Sequence, residues 1–343
     1  MIYSVTDIMM FSLISNDITT QNKYSKPIIN QEFLYSFFDY TLKNQINIFS
    51  EKRLVRREII KEFSSNISKR INSEILEKIF LDDVLYYEKL KKQSQIQLDT
   101  CQSLNINFEV ITSKNYPKNL LSLKYPPYFI FYKGILPSDL EFGNSLTIVG
   151  TRIPNEFHAE NITKTILESI CHTNPIIISG LALGCDSIAH SAALNLSLKT
   201  GAVLGQGLAT SIYPEKNTHL SETILDSGGF LISEIPPTLK INPMYLKLRN
   251  RIQVSLGKII FIMQTSEKGG TMHSVKYALQ QHKNIFVWNP SGALNKENNC
   301  VKGNYNLLET NNFFSIKDSN DFNEKLKIIN KKKLEYTFQL FPN

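Results

Sequence analysis

The chain changes rhythm about a third of the way along. Within the stretch 51–97, apolar residues such as Ile67, Ile71, Ile75, Leu76 and Ile79 recur at intervals of three and four. That period belongs to amphipathic helix. From Gly143 onward, short runs with almost no polar alternation take over: Leu146–Val149, Ile176–Ile178, Ala202–Leu204, Phe230–Ile232, Ile259–Met263 and Ile285–Trp288. Between them lie helical patterns over Ala159–Cys171, Ser187–Leu198, Thr218–Asp226, Tyr245–Leu256 and Thr271–His282. Strands without polar alternation, separated by helices, belong to a parallel sheet covered on both faces. The pattern predicts an α/β fold with a Rossmann-like, doubly wound, mostly parallel sheet over 111–316. A small all-helical N-terminal domain over 1–110 precedes it, and a helix with a tail over 317–343 follows.

Composition narrows the class without deciding the function. Hydrophobic residues make up 42% and charged residues 20%, ordinary values for a globular chain, which excludes wholesale disorder. Lys and Arg number 38 against 31 Asp and Glu, a net charge of +7 that is compatible with an anionic partner without demanding one. The apolar stretch Ile8–Ile14 is far shorter than the roughly 18 residues of a membrane span, and no positive segment precedes it. A cytoplasmic protein with no membrane association is expected. The four cysteines and six histidines are dispersed, with no C-x-x-C or H-E-x-x-H spacing, so no disulfide framework, metal site or cofactor is expected. No glycine occurs before Gly134, and a helix-hairpin-helix turn, usually built on glycine, is not visible.

In an open parallel sheet the chemistry lies just past the carboxyl ends of the strands. Gly150-Thr151-Arg152 follows the first run, with a glycine permitting close backbone approach and an arginine able to fork onto phosphate. Ser179-Gly180-Leu181-Ala182-Leu183-Gly184 runs into a helix, an arrangement that favours an anion. There Asp186 reads as a helix cap, and His190, four residues on, as a buried hydrogen-bonded histidine rather than a catalytic base. Gly205-Gln206-Gly207 lacks the third glycine of a dinucleotide fingerprint and follows the third strand rather than the first. Arg249-Asn250-Arg251 lies in an apolar helix, where two guanidiniums need carboxylates or phosphates, Glu234 being one candidate partner. Lys268-Gly269-Gly270-Thr271 opens another helix and is a second candidate phosphate cradle, although not a Walker A loop. The candidate phosphate-binding set is therefore Gly150, Thr151, Arg152, Ser179, Gly180, Gly184, Arg249, Asn250, Arg251, Lys268, Gly269, Gly270 and Thr271. Asp186, His190 and Glu234 are expected to be structural groups on the rim, and Tyr213 and Tyr245 are the nearest aromatics.

Read together, these segments resemble the DprA/Smf family of DNA-processing proteins. The resemblance runs from Tyr116-Pro117 and Tyr132-Lys133-Gly134 through Val149-Gly150-Thr151-Arg152, Ser179-Gly180-Leu181-Ala182, Asp186 and Ala189-His190. It continues through Gly207-Leu208, Tyr213-Pro214, Ser233-Glu234, Pro236-Pro237 and Arg249-Asn250-Arg251-Ile252. Departures stand at Leu183, where the family has arginine, at Leu246-Lys247 in place of Phe-Pro, at Gln264 in place of glutamate, and at Asn289. No winged-helix module of the kind that many members carry is expected in the stretch after Ser315. The resemblance implies a homodimeric, non-enzymatic protein that binds single-stranded DNA without sequence preference. It further implies loading of a RecA-type recombinase during natural transformation, with a single-strand-binding protein as a further partner. Two alternatives are weighed beside it. One is a nucleotide phosphoribohydrolase, disfavoured because Met272-His273-Ser274-Val275 offers no carboxylate after the glycine loop. The other is a protein-interaction scaffold with weak DNA binding.

Overall fold

The apolar runs become strands because each is covered on two sides. In a computed structural model, which describes residues 2–16, 31–66, 76–77, 80–81, 84–310 and 312–340, every residue of β3 (Ser145–Val149), β4 (Ile176–Ser179), β5 (Thr200–Val203), β6 (Phe230–Ser233) and β7 (Ile259–Ile262) is buried. With β1 (Asn107–Val110), β2 (Phe129–Gly134), β8 (Asn284–Trp288) and β9 (Phe314–Ile316) they form one sheet in the order β1-β2-β6-β5-β4-β3-β7-β8-β9. The seven strands from β6 to β9 are parallel to their neighbours; β2 joins β6, and β1 joins β2, antiparallel. The sequence pattern missed β1, β2 and β9. The first two precede Gly143, where the run of short apolar segments begins, and β9 is three residues long. The sheet also starts at Asn107, inside the span expected to be helical.

Two helical layers cover the sheet. Helices α5 (Glu156–Ile170) and α6 (Cys185–Asn195) bury Ala159, Ile166, Ala189 and Ala193 against Ile148, Ile177 and Phe261. On the other face, α8 (Pro243–Leu256) sets Ile252 and Leu256 against Ile178, Val203 and Ile232. Beside it, α9 (Thr271–Gln280) sets Val275 and Ala278 against Val149, Ile260 and Ile262. Alternate residues of one strand thus serve opposite layers, as the period of two requires. From β3 the chain steps outward to β4, β5 and β6, then returns to the other side of β3 for β7 and β8. The reversal places a topological switch point between β3 and β7. The remaining crossover helix is α7 (Thr218–Asp226), and α11 (Ser319–Leu340) closes the chain beyond α10 (Lys302–Leu308).

The N-terminal helices α1 (Val5–Asn16), α2 (Gln31–Lys43), α3 (Arg53–Asn66) and α4 (Val84–Ser103) do not close a core of their own. Their Phe11, Phe37 and Phe38, with Tyr3 just before α1, pack in one continuous cluster with Phe129, Phe131 and Leu231 of the sheet. The apolar run Ile8–Ile14 is an interior helix segment, buried along its whole length. Among the described residues no helix is long and apolar enough to cross a membrane. Leu76 is buried, whereas Ile67, Ile71, Ile75 and Ile79 lie outside the described residues, as do residues 341–343 of the tail.

Candidate nucleic-acid interface

A cleft of about 660 Å3 opens past the carboxyl ends of β3 and β7, at the switch point, where an α/β sheet offers its natural ligand crevice. One wall is the turn Gly150–Ile153. Thr151 donates its N–H to the Gln264 carbonyl (2.7 Å) and accepts from the Cys185 N–H (3.1 Å), so the turn is held by backbone on both sides. Arg152, exposed, projects from it at the mouth. The glycines here serve packing between loops. A side chain at Gly150 would overlap Cys185, and Gly184, at φ +76, lies against the Thr151 and Arg152 carbonyls. Gln264 ties the two switch-point loops together: its Oε1 accepts from the Asn155 N–H (2.8 Å) and its Nε2 donates to the Asn155 carbonyl (3.0 Å). A glutamate could make only the first of these bonds, which gives the departure at this position a local physical reason.

Helix α8 supplies the facing wall through Pro243, Leu246, Lys247, Asn250 and Gln253, a spacing of threes and fours that selects one helix face. Arg249 is buried on the flank of that face. Its Nη1 donates to the Val203 carbonyl (2.9 Å) and to Gln253 Oε1 (3.0 Å), and its Nη2 stands 3.5 Å from Asp186 Oδ2. The guanidinium occupies the space that a side chain at Gly180 would need, so Gly180 makes room for arginine rather than for phosphate. Asp186 is not the cap of α6; Gly184 holds that position, and Asp186 in the first turn accepts from the Ala182 N–H (3.3 Å). Burial pushes the Asp186 carboxyl up and the Arg249 guanidinium down from their ordinary values, and each charge opposes the shift of the other.

The third wall is the N-terminus of α9. Gly269, Gly270 and Thr271 line the cleft, and no side chain caps the helix there, so its positive end faces the opening. His273 and Ser274 of the first turn also face in.

Several residues expected at this site lie elsewhere. Arg251 is two positions from Arg249, about 200° around a helix, and so points to the opposite side of α8. It is paired with Glu234 beneath Pro126-Pro127 and the end of α1. Burial raises the Glu234 carboxyl and Arg251 opposes the rise. Ser179 is fully buried and donates to the Ile148 carbonyl (2.7 Å). Gly180 borders a small annex of the cleft beside Leu183, while Gly184 and Lys268 are not among its lining residues. His190 is fully buried with Nδ1 2.7 Å from Thr200 Oγ1, whose own proton is committed to the Ile177 carbonyl. Nδ1 is therefore the donor, and burial, with Arg249 nearby, depresses the histidine pKa to about 3. Tyr245 is a packing residue whose hydroxyl donates to the Asn16 carbonyl (2.9 Å), whereas Tyr213 is 46% exposed and lines the cleft.

Lys247, His273 and Ile153 are lining residues that the sequence reading did not select. Projecting the α8 sequence onto a helix would have found Lys247, which shares a face with Pro243 and Asn250. The charge balance of the cleft is plain. Among the described residues its one lining carboxylate is Asp186, already matched by Arg249, while Arg152 and Lys247 stand exposed.

Residues 107–327 match the family model described as DNA recombination-mediator protein A. Protein Smf of Synechocystis is 32% identical over 214 residues, 62% of this chain, and the chain spans about half (53%) of that relative's length. The DNA processing protein DprA of Bacillus subtilis is 29% identical over 239 residues, 67% of this chain and 78% of its own. Two solved structures share the fold. DprA of Streptococcus pneumoniae superposes with a TM-score of 0.62 at 20% identity, covering 85% of this chain and 96% of its own. DprA of Helicobacter pylori, a structure concerned with a single-stranded DNA binding mode, superposes with a TM-score of 0.55 at 27% identity, covering 64% and 96%. With a match that extends over more than half its residues, the chain belongs to the DNA recombination-mediator protein A family, that of the DprA and Smf proteins.

Proposed function

We propose that the switch-point cleft binds the backbone of single-stranded DNA without sequence preference. The observation that carries this reading is the uncompensated positive charge: Arg152, Lys247 and the uncapped end of α9 surround a cleft whose one lining carboxylate among the described residues is already neutralised. Phosphates satisfy all three, and a set of cations and amides that touches no base edge reads no sequence. Tyr213 and Ile153 add exposed apolar surface beside those charges, on which an unpaired base can stack or pack and a paired one cannot. The Helicobacter relative's single-stranded DNA binding supports the same ligand. The cleft is read as a binding surface rather than a reaction centre. Cys185, its thiol pushed well up by burial, and His190, held neutral, are both buried outside it.

Family membership supports the remaining parts of the proposal: a homodimer acting in the cytoplasm that passes the bound strand to a RecA-type recombinase, with a single-strand-binding protein as a further partner. The primary test is a gel-shift series with oligonucleotides across salt. Single strands are expected to be retarded more than duplex, with affinity falling steeply as salt rises. Equal retardation of both forms, or none at low salt, would refute the ligand assignment. Recombinase loading is tested separately, by whether the protein accelerates filament formation on a strand already coated with single-strand-binding protein; an unchanged rate removes that part alone.

A further inference from the structure

One side chain of the N-terminal helices is wired to a wall of the cleft. Gln97, on α4, is 1% exposed. Its Nε2 donates to Thr238 Oγ1 (2.7 Å) and its Oε1 accepts from the Thr238 N–H (2.9 Å), a two-point grip on a loop 141 residues away. That loop is in turn bonded to the segment after β5. The Gly207 N–H donates to the Leu239 carbonyl (2.8 Å) and the Ala209 N–H to the Pro237 carbonyl (3.0 Å). The approach is so close that a side chain at Gly207 would overlap the carbonyls of Pro236 and Pro237. From there the buried Gln206 amide closes the loop on itself. Its Nε2 donates to Thr210 Oγ1 (2.9 Å) and the Ser211 carbonyl (2.6 Å), and its Oε1 accepts from the Tyr213 N–H (3.0 Å).

We propose that Gln97 is a positioning residue for the aromatic wall of the cleft, holding Tyr213 in place through Thr238, the 207–209 segment and Gln206. The sequence of contacts is continuous, and each step includes a bond to a backbone group. The 206–213 loop is anchored in the core by Leu208, with Ala209 and Ile212 packed against the same cluster, and the bracing adds a hydrogen-bonded hold on its backbone up to the exposed Tyr213. The N-terminal region thereby gains a task in addition to covering the sheet: it sets the geometry of one wall of a site it does not line. That Tyr213 meets a base rests on the ligand reading above, but the bracing itself does not.

The test separates the two. Hydrogen exchange on the free protein is measured for Gln97→Ala, Thr238→Ala and Thr238→Ser. The amides of Gly207, Ala209 and Tyr213 are expected to exchange about tenfold faster in Gln97→Ala, less so in Thr238→Ala, and at the native rate in Thr238→Ser, which keeps the hydroxyl. The amides of β3 stay unchanged. Unchanged exchange at 207–213, or acceleration spread equally over the sheet, would overturn the proposal, and Thr238→Ala carries the test should Gln97→Ala not fold. In binding assays, Gln97→Ala is expected to weaken single-strand affinity about fivefold, with no further loss when added to Tyr213→Ala. Against an abasic strand of equal length it binds like the native protein. Additive losses, or equal loss on the abasic strand, would contradict the coupling. If exchange responds as expected but the native protein binds base-bearing and abasic strands alike, stacking by Tyr213 fails while the bracing stands.

Discussion

Arg249 and Arg251 share a helix, a charge and near-complete burial, yet they belong to two different parts of the molecule. Arg249 faces the switch point, where Gly180 leaves space for it and Asp186 and the Val203 carbonyl receive it. Arg251 faces the seam between the sheet and the N-terminal helices and is matched by Glu234. Neither offers its charge freely to a ligand. The exposed cations are the neighbours Arg152 and Lys247, and the lesson is that an arginine-rich motif in an apolar helix marks internal wiring before it marks an interface.

The largest test of this comparison is to break the seam. Arg251→Ala leaves the Glu234 carboxylate buried without a partner and is expected to cost about 3–5 kcal/mol of stability, read from the denaturant midpoint. Strand affinity of the folded fraction should not change. Replacing both partners with apolar residues, Arg251→Met with Glu234→Leu, should recover most of the loss. Gly180→Ala applies the same stress to the cleft side. A methyl group would displace the Arg249 guanidinium from Val203 and Asp186, for a loss of about 2–3 kcal/mol, and here strand affinity should fall too because the annex of the cleft is remodelled. A variant as stable as the native protein would show that Arg249 has another low-energy position.

The pH dependence of stability is a smaller effect with a fixed sign. His190 has a pKa of about 3 in the fold against an ordinary value of 6.5, so between those values the unfolded chain takes up a proton that the fold refuses. Its contribution is complete above pH 6.5 and is lost as pH falls toward 3. His190→Asn, which keeps a donor for Thr200 Oγ1, should flatten urea midpoints measured from pH 7 to pH 4. An unaltered slope would place the acid sensitivity in other groups.

Much of the parallel sheet was legible because burial on two faces leaves an unmistakable run such as Ile259–Met263. The strands β1 and β2 were not, since Phe108 sits at the end of the span with helical texture and Phe129–Phe131 precede the first of the regularly spaced apolar runs. Of the candidate site, the turn at Arg152 and the loop at Gly269–Thr271 stand where strand ends and helix starts predict them. The motif Arg249-Asn250-Arg251 misled because residues two apart on a helix face opposite ways, a fact contained in the spacing itself. What no spacing reveals is that Gly150, Gly180 and Gly184 serve close contacts within the protein. A glycine that admits a ligand and a glycine that admits another loop look alike until the neighbours are known.

The claim that exposed Arg152 and Lys247, rather than the buried arginines, meet phosphate is tested most directly by the salt dependence of single-strand affinity. For a single-stranded ligand each phosphate neutralised contributes about 0.7 to the slope of log affinity against log salt. Arg152→Ala should lower the slope by about that amount and weaken binding about tenfold at low salt, with Lys247→Ala adding a similar change in slope and a smaller loss. The double variant should leave the unfolding midpoint where it is. A slope unchanged in the double variant would contradict the account and move the phosphate contacts to another surface.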